Sequence, residues 1–471
     1  MYKEQSKQIG IMDFNMPLGM KLASENRWVK KAAIIPWDEI ETRYASLFKS
    51  KTGNVAKPLR MALGALLIQT ERQISDVEVM LQIQETPCLQ YFCGLPGYTD
   101  ERPFDPSLMV WFRKRLTSEI LGEINELIIS RAEKPAVDSP VDQDDAEPPN
   151  EGTLIMDSTC APQNIRYPQD LSLLNEAREN LERMIDELHD TSEGEKPRTY
   201  RRTAKQEYLS IVKSKQKTAK QIHKAQGKQL RYIRRDLATV AAYLLRGKEL
   251  SAQKSERLSV IRRLYEQQLF MHTNHCHRVD DRIVSITQPW IRPIVRGKSR
   301  AKCEFGAKLD ISVSDGFVRL EHTSFDAYNE SENLKDIIER YRKRTGHYPE
   351  RVLADKIYRN RENLSYCKEW GIRLTGKPLG RPKQDGGADK KQLRLDETDR
   401  IEVERKFSHA KSSFGLGLIR TRLQTTSKTA IAMSILALNI AFVARILPAL
   451  FRRIVRQFAF VSHHSNLCLV Q

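Results

Sequence analysis

Apolar residues in the first part of the chain recur at intervals of three and four, which is the period of a helix with one buried face. Clusters of Pro and Gly interrupt this pattern and mark where helices end. The pattern predicts helices over Leu59–Gln69, Ser75–Gln84 and Pro106–Leu116. In the third helix, Asp105 is placed to be the N-cap and Pro106 to be the first helical residue. We therefore expect an all-α N-terminal region.

The third of these helices has a basic end. Arg113, Lys114 and Arg115 follow an apolar side that includes Trp111 and Phe112. A helix of this kind could enter the major groove of DNA, as in helix-turn-helix proteins. The same basic end would also complement the helix dipole without any ligand, and the sequence leaves both interpretations open.

A polar, acidic stretch separates this helical region from the first strand. Residues 134–152 contain five Pro or Gly residues and an acidic run between 142 and 147. Few bulky apolar side chains occur there, so we expect a linker. The apolar run Thr153–Met156 then predicts a strand that ends at Asp157.

Strand and helix patterns alternate in the second half of the chain. From Cys303, apolar and polar residues alternate along two strands, and Asp315-Gly316 between them is a strong signal for a hairpin turn. A Gly- and Lys-rich stretch is expected to be a mobile loop over Gly376–Asp389. Around it the pattern predicts, in order, a helix at Leu334–Tyr341, a strand at Arg351–Asp355, a helix at Glu362–Trp370, a strand at Gly371–Thr375 and a helix at Asp399–Phe414.

Between the first two strands, Asp170–Arg282 has the pattern of an inserted helical region. Its centre, from Lys196 to Arg235, holds 14 Lys or Arg residues and the single acid Glu207. Neutralising part of this charge on DNA phosphates would give strong, salt-sensitive binding that does not read sequence. A long solvated helix or a coiled-coil face would also carry such charges, so the function of the insertion stays open.

The charge of the whole chain points to the same class of partner. A formal net charge of +18 over 471 residues attracts polyanions, and nucleic acid is the obvious one. The seven cysteines are scattered, and Met1–Met20 lacks the apolar run of a secretory signal, so we expect a cytoplasmic, nucleoid-associated protein. The apolar segment Thr429–Ala444 is shorter than the roughly 20 residues that a bilayer needs, which predicts a buried core helix and no membrane partner.

Three acids lie at the ends of strands or on a helix in this order of elements. Asp157 ends the first strand, Asp355 ends the fourth, and Glu404 lies on the helix after the fifth. Without the insertion, this order is the one found in ribonuclease H-like domains, whose sheet places acids on two adjacent strands and on a later helix. Converging carboxylates repel one another unless a divalent cation neutralises them, so we expect these three to hold Mg²⁺.

The helix that carries Glu404 also presents two cations on the same face. At 3.6 residues per turn, Arg400 and Lys411 lie beside Glu404, whereas Glu402 is turned about 200° away. Arg400 and Lys411 are therefore expected to meet phosphate near the metal, with the arginine able to bind two oxygens at once.

With these residues the sequence resembles the DDE transposases of bacterial insertion sequences, in particular the group with a helical N-terminal region. The resemblance extends from about Leu59 to Leu438. Its most specific part is the family's C-terminal signature, Tyr-x2-Arg-x3-Glu-x6-Lys. Arg400, Glu404 and Lys411 stand at the required spacings, but Glu397 replaces the tyrosine, which puts the supporting role of that side chain in doubt.

The other two catalytic strands of the family also have counterparts. Met156–Thr159 resembles the first, and Leu353–Tyr358 resembles the second. The resemblance implies an α/β ribonuclease H-like catalytic domain with a mixed five-stranded sheet. It also implies DNA cleavage at element ends, followed by attack of the freed 3′ hydroxyl on target DNA. Asp157, Asp355 and Glu404 would be the catalytic and metal-binding residues.

The resemblance also implies the partners of the chain. The cofactor would be two Mg²⁺ ions, with Mn²⁺ as a substitute. The substrate would be double-stranded DNA, both the terminal inverted repeats of the element and the target, bound by a homodimer. The residues assigned to DNA or phosphate binding are Arg400, Lys411, Arg113, Lys114, Arg115 and Lys356.

We divide the chain accordingly. The expected parts are a helical DNA-binding and dimerisation domain (1–133), an acidic linker (134–152), the catalytic domain (153–169 and 283–450), the basic helical insertion (170–282) and a C-terminal tail (451–471). Two rival functions remain: a nuclease on the same scaffold that does not join DNA, and a catalytically inactive transposase descendant that binds DNA.

A group of potential metal ligands lies outside this scheme. His272, His275, Cys276 and His277 are close in the sequence, but no second pair of ligands at zinc-site spacing is evident nearby. A polar helix end or loop is favoured over zinc there.

Overall fold

Helices form the N-terminal part of the protein, as the apolar spacing predicted. The computed structural model describes residues 1–3, 9–48, 52–133, 149–295, 303–376 and 387–467, without the side chains of 193, 387–390 and 447–467. The helices are α1 (Arg27–Ile34), α2 (Trp37–Ala45), α3 (Leu59–Arg72), α4 (Asp76–Glu85), α5 (Pro87–Phe92), α6 (Leu108–Arg115) and α7 (Ser118–Glu133). Ser75 caps α4, because its side chain accepts a hydrogen bond from the Glu78 amide at 3.2 Å.

Helix α6 begins later than the sequence predicted. Ser107, and not Asp105, is its N-cap residue, and Pro106 lies before the helix. The Asp105 carboxylate accepts a hydrogen bond from the Ser107 amide at 2.9 Å, so it stabilises a turn that precedes the helix.

A mixed sheet lies at the centre of the second half of the chain. Its strands are β1 (Thr153–Pro162), β2 (Arg292–Val295), β3 (Cys303–Ser314), β4 (Phe317–Ser324), β5 (Arg351–Leu353) and β6 (Arg373–Leu374). Strand β1 lies between β3, which is antiparallel to it, and β5, which is parallel to it; β6 continues the sheet beyond β5. Strands β4 and β2 both pair with β3, at different parts of its length. The sheet thus has six strands, and the expectation of five was wrong.

Two local predictions about the strands have opposite outcomes. Asp315 and Gly316 have φ angles of 50° and 80°, so the predicted hairpin turn between β3 and β4 is confirmed. Strand β1 does not end at Asp157: it pairs with β3 as far as Pro162, which leaves Asp157 in the middle of the strand. The long antiparallel partner extends β1 beyond the apolar run from which its end was predicted.

The insertion is helical, as predicted. Its helices are α8 (Asp170–Leu188), α9 (Arg201–Lys213), α10 (Ala219–Leu245) and α11 (Ala252–Thr273). Thr218 and Gln221 form a capping box at the start of α10. Leu174, Leu181 and Ile233 belong to a hydrophobic cluster that consists of insertion residues together with Ile283 and Ile286 just after the insertion, so this region has a core of its own.

The remaining helices are α12 (Leu334–Thr345), α13 (Arg361–Glu369), α14 (Gly387–Ser413) and α15 (Gln424–Leu467). Helices α12 and α13 pack on the sheet face that includes Leu154 and Met156. Helix α14 begins before the predicted Asp399, and α15 continues past residue 450, where a tail was expected. Most of the predicted loop at 376–389 and of the predicted linker at 134–152 lies outside the described residues.

Helix α15 connects the two halves of the chain. Its segment Gln424–Ile446 has a mean hydropathy of 1.9 and is long and apolar enough to cross a membrane, but 67% of its most apolar window is buried inside the protein. It packs against α1, α3, α6, α7 and β4. The predicted core helix is thus present, and it joins the N-terminal helices and one sheet face in a single hydrophobic core.

Candidate active site

Asp157 lies in the middle of β1 on the sheet face that α14 covers. Its side chain is 18% exposed. Its Oδ1 accepts a hydrogen bond from the Ser158 amide at 2.7 Å. Burial, with a smaller contribution from the charges of Asp355 and Glu330, raises the pKa of this carboxyl to about 6, although the Ser158 amide and Arg400 oppose the shift.

Asp355 follows the end of the neighbouring strand. Ile155 of β1 pairs with Leu353 of β5, and the two strands are parallel. Asp157 and Asp355 each stand two residues beyond this pair, so the register carries them to adjacent positions on one side of the sheet. The Asp355 side chain is exposed and accepts a hydrogen bond from the Lys356 amide at 2.6 Å.

Glu404 approaches the same place from α14. Val403, Phe407 and Ala410 are buried and hold this helix against the sheet. The Arg400 guanidinium lies between two of the acids: Nη1 is 3.7 Å from Asp157 Oδ2, and Nη2 is 3.5 Å from Glu404 Oε1. Arg400 thus links Glu404 to Asp157, which lies 247 positions earlier in the sequence.

The other charged residues of α14 divide between two sides of the helix. Lys411 donates a hydrogen bond from Nζ to Thr159 Oγ1 at 2.9 Å, so it meets β1 two residues beyond Asp157, on the same face. Glu402 lies instead beside a cavity of about 850 Å³ that Lys406 and Phe442 also line. Arg400, Glu404 and Lys411 therefore share the side of α14 that faces Asp157, and Glu402 does not.

The three acids do not form a closed metal site. Within the part of the chain that the structure describes, no group of three His, Cys, Asp or Glu side chains is arranged to hold a metal ion. The Arg400 guanidinium supplies positive charge between Asp157 and Glu404, where two carboxylates would otherwise repel each other. The structure thus brings Asp157 and Glu404 to one arginine and Asp355 to the next strand.

A second group of polar residues on the neighbouring strand was not found from the sequence. Asp310 of β3 pairs with Ser158 and is 1% exposed. Its carboxylate accepts hydrogen bonds from Tyr328 Oη and Asn333 Nδ2, both at 2.7 Å, and burial raises its pKa. The only signal in the sequence was an acid within an alternating strand, which the pattern assigns to a solvent-exposed position.

Tyr358 is a further buried residue near the acids. Its side chain is fully buried, and its hydroxyl has no hydrogen-bond partner among the described residues. Burial raises its pKa, and the charges of Asp310, Glu330 and Asp157 add to the shift. This tyrosine packs in the core beneath the segment that carries Asp355.

The basic residues of α6 differ in their accessibility. Arg113 forms an ion pair with Asp76 and donates to Gln69 Oε1 at 3.0 Å, so its charge is used inside the protein. The Arg115 guanidinium lies over the Phe48 ring at 4.7 Å. Lys114 is exposed and lies over the ring of Trp111, which is itself 52% exposed. Lys356, next to Asp355, is also exposed.

The histidines of the insertion stack on one another. The ring centroids of His223 and His272 are 3.9 Å apart with parallel planes, and those of His223 and His275 are 4.7 Å apart. Parallel stacking does not direct ring nitrogens at a common point, as zinc ligands require.

Two segments of the chain match families of transposase domains. Residues 352–441 match the family described as "Transposase DDE domain", and residues 17–115 match the family described as "Transposase domain (DUF772)". The first match includes Asp355 and Glu404 but not Asp157. The chain is a relative of the insertion-sequence DDE transposases, and the resemblance noted in the sequence is confirmed.

One curated relative is also known. It is "Uncharacterized protein ORF8 in nfe locus" of Rhizobium meliloti, which is 28% identical over 155 residues, corresponding to 33% of this chain and 70% of that protein. No solved structure matches the chain. A transposase DDE domain indicates a DNA-processing enzyme with DNA as its partner, and DDE transposases generally use a divalent metal.

Proposed function

We propose that this protein is a DDE transposase that cleaves DNA at the ends of a mobile element and joins the freed ends to target DNA. The observation that carries the proposal is the meeting of Asp157 and Glu404 at Arg400, with Asp355 just beyond the end of the strand adjacent to β1. The match of 352–441 to a transposase DDE domain supports it.

The strand arrangement supports a ribonuclease H-like catalytic domain. The sheet order is β4, β3, β1, β5, β6, with β2 as an extra strand beside β4 on the free edge of β3. Acids on two adjacent strands and on a later helix are the arrangement expected of that fold. We assign residues 153–169 and 283–450 to this domain, with 1–133 as a DNA-binding and dimerisation region and 170–282 as an insertion.

The donor chemistry of the three acids fits a divalent cation. Asp157, Asp355 and Glu404 offer carboxylate oxygens, the ligands that Mg²⁺ prefers, and Mn²⁺ accepts the same donors. Asp157 is mostly buried, and the Arg400 guanidinium at 3.7 Å neutralises its carboxylate only in part. A bound cation would therefore stabilise the negative charge of this carboxylate. Two bound ions would activate the attacking oxygen and stabilise the leaving oxygen of an in-line phosphoryl transfer.

Arg400 and Lys411 provide the groups that would hold DNA phosphate next to the acids. Arginine presents a rigid, permanently charged fork that can bind two phosphate oxygens, whereas lysine acts as a compact point charge. Arg400 spans Asp157 and Glu404 in the free protein, and on DNA its guanidinium would turn to the phosphate. Lys411 is held beside β1 by its hydrogen bond to Thr159, and its charge would attract the phosphate backbone of the DNA strand that Arg400 binds.

A strand-transfer assay tests the proposal. Linear DNA that contains the sequences flanking the gene is labelled and mixed with a supercoiled plasmid, the purified protein and Mg²⁺ or Mn²⁺. We expect labelled plasmid, because only a transposase joins the cleaved end to the target. Asp355→Asn and Glu404→Gln are expected to reduce joining by at least about 100-fold, as loss of groups that act in the transition state does.

Glu402→Gln is the matched control, because Glu402 lies on the same helix but on its other side. Its joining activity should equal that of the wild type. Cleaved but unjoined DNA would favour the nuclease, and DNA binding with no reaction in the wild type would favour the binding-only descendant. Either result contradicts the proposal.

A further inference from the structure

The outer side of α10 carries a row of cations. Lys220, Lys224, Arg231 and Arg234 are all exposed, and we call them the α10 row. Their spacings of four, seven and three residues keep them within about 80° of one another around the helix. On the opposite side of α10, Ile233, Val240 and Tyr243 are buried in the core of the insertion. The hydrophobic core therefore fixes which side of α10 faces solvent.

Other cations of the insertion are neutralised by acids. Lys228 pairs with Glu207, the one acid of the basic segment, and Arg201 pairs with Asp186 at 2.7 Å. Arg178 with Glu182, Lys254 with Glu187 and Arg282 with Asp170 form further ion pairs. By contrast, no side chain of the α10 row forms an ion pair with a residue that the structure describes. Its charge is not used to hold the insertion together.

The dimensions of the α10 row match a nucleic-acid backbone. From Lys220 to Arg234 the helix rises about 21 Å at 1.5 Å per residue. This length corresponds to about six base-pair steps of 3.4 Å along one strand of DNA. The cations are thus spread over several successive phosphates, which a small anion would not require.

Next to the α10 row, a stack of aromatic and guanidinium groups stiffens the surface. The Arg235 guanidinium lies over the Tyr200 ring at 4.2 Å, and Arg198 lies over the same ring at 4.6 Å. These contacts hold the start of α9 against α10 and limit the movement of the side chains next to the α10 row. A straight, rigid row of charges binds a regular duplex with little loss of conformational entropy.

We propose that the α10 row binds the sugar-phosphate backbone of double-stranded DNA without reading its sequence, as a second contact separate from the acid site. The inference rests on the proposed function only in its choice of DNA as the polyanion. Its physical basis is charge complementarity and counterion release, so binding must weaken steeply as salt rises.

Salt-dependent binding of the full-length protein tests this inference. The dissociation constant for a duplex of about 30 base pairs is measured with EDTA present, between about 50 and 200 mM NaCl. The variant Lys220→Gln/Lys224→Gln/Arg231→Gln/Arg234→Gln removes the row. The plot of log affinity against log salt concentration has a negative slope of about 0.9 per phosphate contact, so removing four contacts should make this slope shallower by about three to four. The thermal unfolding midpoint should not fall, because these side chains are exposed and form no ion pair with any residue that the structure describes.

A smaller matched pair of variants separates position from net charge. Lys224→Gln/Arg231→Gln should reduce the slope by about two units. Arg262→Gln/Arg263→Gln, two exposed cations on α11, removes the same charge and should leave the slope nearly unchanged. Equal losses in both, an unchanged slope in the row variants, or preferential binding of duplex RNA would overturn the inference.

This experiment is independent of the chemistry at the acids, because EDTA removes divalent cations. If the strand-transfer assay gives no joined product while the α10 row variants still lose DNA affinity, the transposase proposal is contradicted and the inference about the α10 row is supported. If joining succeeds while the slope is unaffected, the α10 inference falls alone.

Discussion

Asp236 is a buried acid whose ionisation the fold opposes. It lies in α10 and is 1% exposed, and its Oδ2 has no hydrogen-bond partner among the described residues. Burial raises its pKa to about 7, with Glu182 contributing and Arg178 opposing. Between the ordinary pKa of about 3.9 and about 7, the carboxyl is ionised in the unfolded protein but stays protonated in the folded protein, so the protein loses stability as pH rises through that range.

Asp236→Asn is expected to stabilise the insertion at high pH. The gain should be absent near pH 4 and complete above about pH 7, where it reaches up to about 4 kcal/mol. Amide hydrogen exchange of α10, corrected for intrinsic rates at each pH, measures the local opening free energy. Asp280→Asn, at an exposed acid of the same insertion, should change it by less than about 0.5 kcal/mol. A gain that is equal at pH 4 and pH 8 would contradict the pKa assignment.

The acids around Arg400 predict a response to cations that does not depend on activity. Binding to the folded state alone stabilises a protein by about 2.7 kcal/mol at a free cation concentration of 100 times the dissociation constant. We expect MgCl₂ or MnCl₂ to raise the thermal unfolding midpoint of the wild type and to have no such effect on Asp157→Asn. Glu402→Gln should respond as the wild type does. An unchanged midpoint in the wild type would argue against these acids as cation ligands.

At the scale of elements, the hairpin between β3 and β4 depends on a glycine that meets α15. Gly316 has a φ of 80°, and a Cβ added there would clash with the Phe442 ring. Gly316→Ala should therefore cost about 2–4 kcal/mol, from backbone strain and displacement of the ring. Gly346→Ala, at the end of α12, has a similar φ of 87° with nothing within 4 Å of the added Cβ, and should cost only about 1 kcal/mol.

Chemical denaturation of the two glycine variants measures this difference. Equal losses of unfolding free energy would mean that the contact with Phe442 does not constrain the turn. The comparison separates the strain of a positive φ, which both variants share, from the steric clash, which only Gly316→Ala creates.

The periodic elements were predictable from the sequence, and the contacts between them were not. The helices of the insertion, the β3–β4 hairpin and α15 follow from apolar spacing and turn residues, which are local signals. Strand β2 was missed because four residues that include Pro293 show no alternation. The burial of Asp310 was missed because it depends on Tyr328 and Asn333, which lie on the segment after β4.

For the candidate site too, local placement could be predicted from the sequence and the contacts between distant residues could not. Helical periodicity places Arg400, Glu404 and Lys411 on one side of α14, and the structure has them there. Nothing local indicates that Arg400 spans Asp157 and Glu404, or that Arg113 is paired with Asp76. Those partners are far away in the sequence, and only the tertiary fold brings them together.

For the whole molecule, one buried amide links three elements that come from both halves of the chain. Asn439 of α15 accepts a hydrogen bond from the Val318 amide of β4 at 3.0 Å. Its Nδ2 donates to the Val318 carbonyl and to Asn125 Oδ1 of α7, both at 2.7 Å. Asn439 is fully buried, and Asn125 is 5% exposed. Removing the Asn439 side chain would leave several buried polar groups without partners.

Asn439→Ala is therefore expected to cost about 2–4 kcal/mol, and the loss should appear in both halves of the chain at once. Because α15, the N-terminal helices and one sheet face share a core, amides of α3 and β4 should lose protection from hydrogen exchange together. Amides of α10 should keep theirs, since the insertion has a separate core. Ser434→Ala is the control on the same helix, because its hydroxyl donates only to the Ala430 carbonyl one turn earlier, and it should cost less than about 1 kcal/mol. If α3 kept its protection while β4 lost it, the N-terminal helices would be an independent domain and the shared core would not be a cooperative unit.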